Sequence, residues 1–170
     1  MLDLVEAEGI DSVSQLDQER AELSGKLGEN IAFAGAARFE RVDGGVIAAY
    51  AHPPANKLGV LVQIRGGDEE LARQLAMHIS WSNPQWATRD DVPAELVTAE
   101  REIYANSDEV QSKPEQAREK IVEGMLNKRY FGVNVLTEQE WIHDSGKKVG
   151  QVLQEAGAEV LEFERLSLAG

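Results

Sequence analysis

Three histidines, no cysteine and a scatter of carboxylates are all that this 170-residue sequence offers for catalysis or metal binding. His78 falls beside the apolar stripe of a helical pattern, where a packed or partner-facing imidazole is expected rather than a base or a ligand. His52 closes a strand pattern and His143 sits in a loop pattern, and no spacing unites the three into a metal site. Gly66-Gly67 is glycine-rich in the manner of a phosphate loop, but Gly-Lys-Ser/Thr is missing. Asp68, Glu69 and Glu70 follow instead and would repel phosphate, so the pair reads as a strand-to-helix turn. Glu100, Glu102 and Asp108 read as a solvated face. Trp81 and Trp86 read as core aromatics, with an exposed partner anchor as the alternative. Nowhere do a nucleophile, a base and an orienting group come together. The expectation is a protein that is not an enzyme and holds neither cofactor nor metal.

The charge balance points the same way. Thirty acidic against 17 basic residues give a net charge of −13, a field that repels phosphate backbones and anionic lipid. Direct nucleic-acid and membrane partners are therefore not expected; a basic protein patch is. The absence of cysteine removes any disulfide framework or thiolate. No apolar run approaches the roughly 20 residues of a membrane span, and Met1-Leu-Asp-Leu lacks a basic leader. A soluble protein of the cytoplasm or an organelle matrix is expected.

The elements follow from periodicity. Residues 1–27 read as a helix, with Val13, Leu16, Leu23 and Leu27 at helical spacing and Gly28 as its C-terminal stop. Ile31, Phe33, Ala37 and Phe39 then alternate as a first strand, and Asp43-Gly-Gly45 supplies a hairpin turn before Val46–His52. The loop Pro53-Pro-Ala-Asn-Lys57 leads to a third strand, Leu58–Ile64. Both faces read as apolar, Val60 and Val62 on one and Leu61 on the other, among the small residues Ala32, Ala34, Ala36, Ala49 and Ala51. Such a sheet needs helices on one face and a close neighbour on the other. Asp68 caps a helix whose stripe is Leu71, Leu75 and Ile79 with Ala72 and Ala76, ending at Asn83-Pro84. A helical hairpin comes next. Its first arm carries Val92, Leu96, Ala99 and Ile103, its second Ile121, Val122, Met125 and Leu126 behind a Ser112-Lys-Pro-Glu115 capping box. Val133–Leu136 reads as extended, Lys147–Ala156 as a short helix ended by Gly157, and Glu159–Leu168 as a last strand returning to the sheet. The fold class is α+β: an antiparallel three- to four-stranded meander sheet covered by helices, with a projecting coiled-coil-like hairpin. Residues 1–90 and 132–170 form the core, with 91–131 inserted.

Four motifs in order, Lys26-Leu-Gly-Glu-Asn-Ile31, Leu58-Gly-Val-Leu-Val62, Leu71–Ile79 and Lys113–Gly124, closely resemble translation elongation factor Ts. That family exchanges nucleotide on the GTPase elongation factor Tu. The resemblance implies that Leu27 and Gly28 pack against a GTPase helix, a glycine there letting two backbones meet. It makes His52, in Tyr50-Ala-His52, a further contact. Ala76-Met-His-Ile79, Asp91-Val-Pro93 and Ile121-Val-Glu-Gly124 also match, whereas Met125 stands where the family has arginine. The family's amino-terminal helical domain and its Thr-Asp-Phe-Val motif, which disturbs the GTPase's metal site, have no counterpart; the third strand runs into Ile64-Arg-Gly-Gly67 instead. The resemblance thus implies the second half of the core with its hairpin, binding elongation factor Tu with weakened exchange. Two other readings stand beside it. One is a self-associating structural module, homodimeric through the apolar sheet; the other is a hydrolase using His52 or His78 with acidic neighbours.

Overall fold

The computed structural model describes residues 14–33 and 35–168. Helix α1 spans Ser14–Leu27; Val13 and the earlier part of the expected helix lie outside the described residues. Beyond Gly28 the chain folds back on α1, where Ser24 Oγ accepts from the Ile31 amide at 3.1 Å and Arg20 donates to the Ile31 carbonyl at 3.1 Å.

The main sheet has three antiparallel strands in the order β1–β2–β5: β1 Gly45–Ala51, β2 Leu58–Arg65 and β5 Glu159–Ser167. The central strand is therefore flanked by its sequence neighbour and by a strand from the far end of the chain. The strand expected at residues 31–39 does not form; its described residues are irregular. One cause is apparent: the alanines of the segment are weak strand formers. Asp43-Gly44 still turns the chain into β1, but it joins a coil to a strand.

Helix α2, Glu69–Ser82, covers one face of the sheet. Asp68 caps it by accepting from the Leu71 amide at 2.8 Å, and Asn83 ends it in the left-handed region. Val60, Val62 and Ile64 of β2 meet Ala72, Leu75, Ala76 and Ile79 in the main core, which Leu136, Trp141, Val149 and Leu153 complete. The opposite face is not the uniformly apolar surface expected. Register places Glu162 opposite Gln63 and Glu164 opposite Leu61. Gln63 is fully buried there; its amide donates to the Glu40 carbonyl and to Glu162 and accepts from the Val42 amide. The irregular segment before β1 is thereby pinned against the face of the sheet opposite α2.

After the 3₁₀ turn Arg89–Asp91 come helices α3 Ala94–Ala105, α4 Asp108–Gln111 and α5 Glu115–Met125, which runs on into a π-helical stretch, Leu126–Phe131. These bury a second cluster: Val92, Val110, Val122, Met125, Leu126, Phe131 and Val135. The α3 stripe differs from expectation. Leu96 and Ile103 are exposed, and Val97, Tyr104 and Ala105 pack inward, a rotation of about one residue or 100°. The expected capping box at Ser112 is absent as well, since that hydroxyl donates back to the Glu109 carbonyl and Pro114 occupies the cap. Gly132–Asn134 form a helical turn, so of the expected extended stretch Val133–Leu136 only Val135 makes a bridge, to Trp86. A small hairpin, β3 Glu140–Trp141 with β4 Asp144–Lys148, and helix α6 Val149–Glu155 return the chain to β5.

The turn between β2 and α2 packs on the turn between α6 and β5. Gly66 lies at φ +74°, and a Cβ there would drive into the Gly157 carbonyl oxygen, with Ala158 Cα at 3.3 Å. Gly66→Ala is expected to lower stability by about 2–3 kcal/mol, from left-handed strain plus the backbone clash. Gly59→Ala, where a Cβ meets nothing within 4 Å, is the control and should be near neutral. Urea unfolding of the two variants measures the difference, and equal losses would show that the two turns are free to separate.

Candidate partner-binding site

The residues singled out by the sequence lie on two different elements. Leu27 is the last residue of α1 and is 63% exposed. Gly28 follows at φ +70°, its amide donating to the Ser24 carbonyl at 2.9 Å. A Cβ at Gly28 would meet nothing within 4 Å. Among the described residues the glycine is therefore required here by backbone conformation and not by packing.

His52 stands just past the end of β1 and is exposed. Its amide donates to the Leu58 carbonyl, and its carbonyl accepts from Asn56, closing the loop. The Tyr50 hydroxyl lies 3.1 Å from His52 Nδ1, with the two rings edge to face. The imidazole is thus oriented, with Nε2 left for another molecule. His52 lines an open hollow of about 400 Å³ with Tyr50, Met77, Ser80, Trp81 and Ile142.

His78 is a packed residue, as expected, and is fully buried. Its ring stacks on Trp141 at 5.2 Å, Nε2 lies 3.0 Å from Gln139 Oε1, and Nδ1 accepts from the Ile142 amide at 3.4 Å. An amide oxygen only accepts, so Nε2 carries the proton and the neutral tautomer is fixed. Gln139 is itself saturated. Its oxygen accepts from His78 and from Ser82 Oγ, while its nitrogen donates to the carbonyls of Val133 and Ser82. One buried amide thus ties together the end of α2, the turn after the π-helical stretch and the strand β3.

His143 packs edge-on against the same indole, with ring centroids 5.0 Å apart. Among the described residues no group of three His, Cys, Asp or Glu side chains gathers as metal ligands. Met125, where the family pattern has arginine, is buried in the second cluster. Glu138, held below the usual carboxylate range chiefly by its hydrogen bond from Arg89 and then by Lys148, carries both cations on one carboxylate.

Sequence reasoning misjudged Trp81, placed in the core but 80% exposed. The signal was available: Trp81 follows Ile79 by two residues, about 200° around the helix from the buried stripe. Trp86, by contrast, packs against the second cluster, with its ring 6.2 Å from Tyr130. Ile142 and Gln139 carried no sequence signal, because the β3–β4 hairpin was not anticipated.

The described residues form an α+β domain, a three-stranded antiparallel sheet with α2 on one face and the helices α3 to α5 packed into a second cluster. The pattern described as Elongation factor TS matches residues 2–169, and the chain belongs to the elongation factor Ts family. It is 38% identical over 155 residues to an elongation factor Ts of Azotobacter vinelandii, covering 90% of this chain and 52% of that protein. An elongation factor Ts of Legionella pneumophila is 38% identical over 159 residues, 93% and 52% of the two chains. One from Hahella chejuensis is 39% identical over 152 residues, 89% and 51%. The chain spans about half the length of the curated relatives it matches.

Burial disfavours the charged form of His78 and pushes its pKa below the ordinary value, against the opposing effect of the hydrogen bond it donates to Gln139. The unfolded chain then takes up a proton that the folded one resists, so stability is full above the ordinary histidine range and falls as pH drops through it. The urea midpoint of the wild type is expected to fall between about pH 7.5 and pH 5.5, and His78→Gln should flatten that dependence. An unchanged slope in the variant would place the titration elsewhere.

Proposed function

We propose that this chain binds the GTPase elongation factor Tu through Leu27, Gly28 and His52, and that it promotes GDP/GTP exchange without catalytic chemistry of its own. Membership of the elongation factor Ts family supports this. The observation that carries the reading is the end of α1, where an exposed leucine and a left-handed glycine stand inside the shared motif, and a Cβ on that glycine would meet none of the described residues within 4 Å. The proposed setting is the cytoplasm or an organelle matrix, with no nucleic acid or membrane as direct partner. No helix among the described residues is long and apolar enough to cross a membrane. Residues 1–90 and 132–170 are read as the core and 91–131 as an inserted hairpin. The two apolar clusters support this division, and Val135 in the second cluster roots the hairpin beside the core.

An exchange factor prefers the nucleotide-free GTPase. By linkage, its binding weakens nucleotide affinity by the same ratio. Contacts at Leu27, Gly28 and His52 bias that equilibrium only to the extent that the GTPase surface they grip moves between the two states. Thr-Asp-Phe does not occur in these 170 residues. By themselves they should therefore bind with only weak acceleration of nucleotide release.

Calorimetry with elongation factor Tu should show that Gly28→Trp abolishes binding, since a large side chain cannot occupy a place where two backbones meet. Unchanged affinity would remove Leu27–Gly28 from the contact. Stopped-flow release of a fluorescent guanine nucleotide should be at least tenfold slower with this chain than with a protein carrying an added Thr-Asp-Phe half, equivalent to about 1.4 kcal/mol of coupling. Equal rates would show that the helix contact suffices. Self-association through the sheet face opposite α2 is the second reading; Ala49 and Ala51 are exposed there and Leu166 is 40% exposed. A dimer in size-exclusion chromatography that fails to bind the GTPase would favour it.

A further inference from the structure

We infer that Trp81, with Ile142 and Val133 beside it, is an indole-led anchor that extends the His52 contact and adds to the GTPase's grip on this half of the protein. The inference rests on the functional reading above and adds to it a second contact area that the family motifs do not mark.

Trp81 is 80% exposed, Val133 55% and Ile142 41%. A tryptophan so exposed is uncommon on a surface that never meets a partner, and tryptophan is the residue type most enriched where binding energy concentrates. Trp81 and Ile142 line two adjoining hollows. One is the His52 hollow of about 400 Å³, and the other, of about 610 Å³, also includes Val133 and Lys128. The apolar side chains thus form one continuous surface starting at His52. A body that reaches the imidazole from solvent must also come against the indole.

The surface is also preorganised. Each of the three apolar residues is held through the same buried network: the Ile142 amide donates to His78, the Val133 carbonyl accepts from Gln139, and Ser82, next to Trp81, bonds to Gln139 through both its hydroxyl and its carbonyl. Backbone already fixed in this way loses little freedom on binding, which is how a small apolar contact gains affinity. At the rim Lys148 shares the Glu138 carboxylate with Arg89, and Lys128 and Glu140 are the other charged residues that line the hollow. What a docking partner must offer is an apolar notch wide enough for an indole, bordered by an oxygen to accept from the indole N–H.

Calorimetry with nucleotide-free elongation factor Tu tests this on the full chain, comparing wild type, Trp81→Ala, Trp81→Phe, His52→Ala and Gly28→Trp. Trp81→Ala should weaken binding at least tenfold and Trp81→Phe by less, with thermal melting by circular dichroism unchanged because the side chain supports nothing beneath it. In fluorotryptophan-labelled chain, the ¹⁹F signal lost in Trp81→Phe should be the one that shifts on adding the GTPase, while the buried Trp141 signal stays in place. If Trp81→Ala binds within twofold of wild type while His52→Ala or Gly28→Trp is weakened, the anchor is wrong and the functional reading stands. If the wild type itself does not bind, the functional reading falls and the anchor with it. If sedimentation velocity shows that Trp81→Ala converts a wild-type dimer to monomer, the surface is a contact between copies and the inference is overturned.

Discussion

The fold depends on how closely α2 can lie on the central strand β2. Ala72 and Ala76 are fully buried against Val60, Val62 and Ile64, and a methyl group at each contact lets the helix approach the sheet without bulky side chains holding it off. Leu75 and Ile79 then fill the flanks, and Trp141, Val149 and Leu153 close the end of the core. Much of this apolar surface comes from outside the α2–β2 pair, from residues that arrive more than sixty positions later in the chain. The sheet is completed in the same way, because β5 supplies the second neighbour of β2. Contacts of such long range make the core a cooperative unit: α2 cannot hold its place unless the carboxy-terminal strand has returned.

Polar groups then set the relative positions of what the apolar core leaves adjustable. Gln63 and Gln139 are both buried, and each has its amide partnered. Gln63 holds the irregular segment before β1 on one face of the sheet, and Gln139 holds the β3–β4 hairpin to the end of α2 and to the turn after the π-helical stretch. An unpaired amide in either place would leave a desolvated donor or acceptor at a cost of about 1–3 kcal/mol, so each residue selects one arrangement of its surroundings and rejects shifted ones. Both sit at the boundaries where an apolar contact alone would allow sliding.

In the function proposed above, rigidity at exposed residues would convert contact into coupling, because a docking surface that gave way would absorb a change in a partner instead of opposing it. His52 is oriented by Tyr50, and the surface beyond it is fixed from beneath by His78 and Gln139. The end of α1 is held separately, by the local bonds of Ser24 and Arg20 to Ile31.

Local patterning was enough to reveal the helices α1, α2 and α6, the strands β1, β2 and β5, and the stops at Gly28, Asn83 and Gly157, because caps, periodicity and left-handed turns are decided by neighbouring residues. The shared motifs likewise marked Leu27, Gly28 and His52, and both structure and sequence leave them open to solvent. What local patterning could not settle was competition between distant segments. Residues 31–39 alternate like a strand, but the segment before β1 is held on a face of the sheet by the buried Gln63 amide instead. Leu96 and Ile103 repeat like a core stripe, but α5 packs against Val97 and Tyr104 instead. Trp81 looks like core by composition and is left outside by helix geometry, and its surface takes shape only when a hairpin 60 residues away is tied to α2 through Gln139 and His78. Sequence determined which segments could be helix or strand, since that is a matter of short-range sterics and periodicity. Tertiary structure decided which of them found partners, since one helix face or one buried amide can satisfy only one claimant.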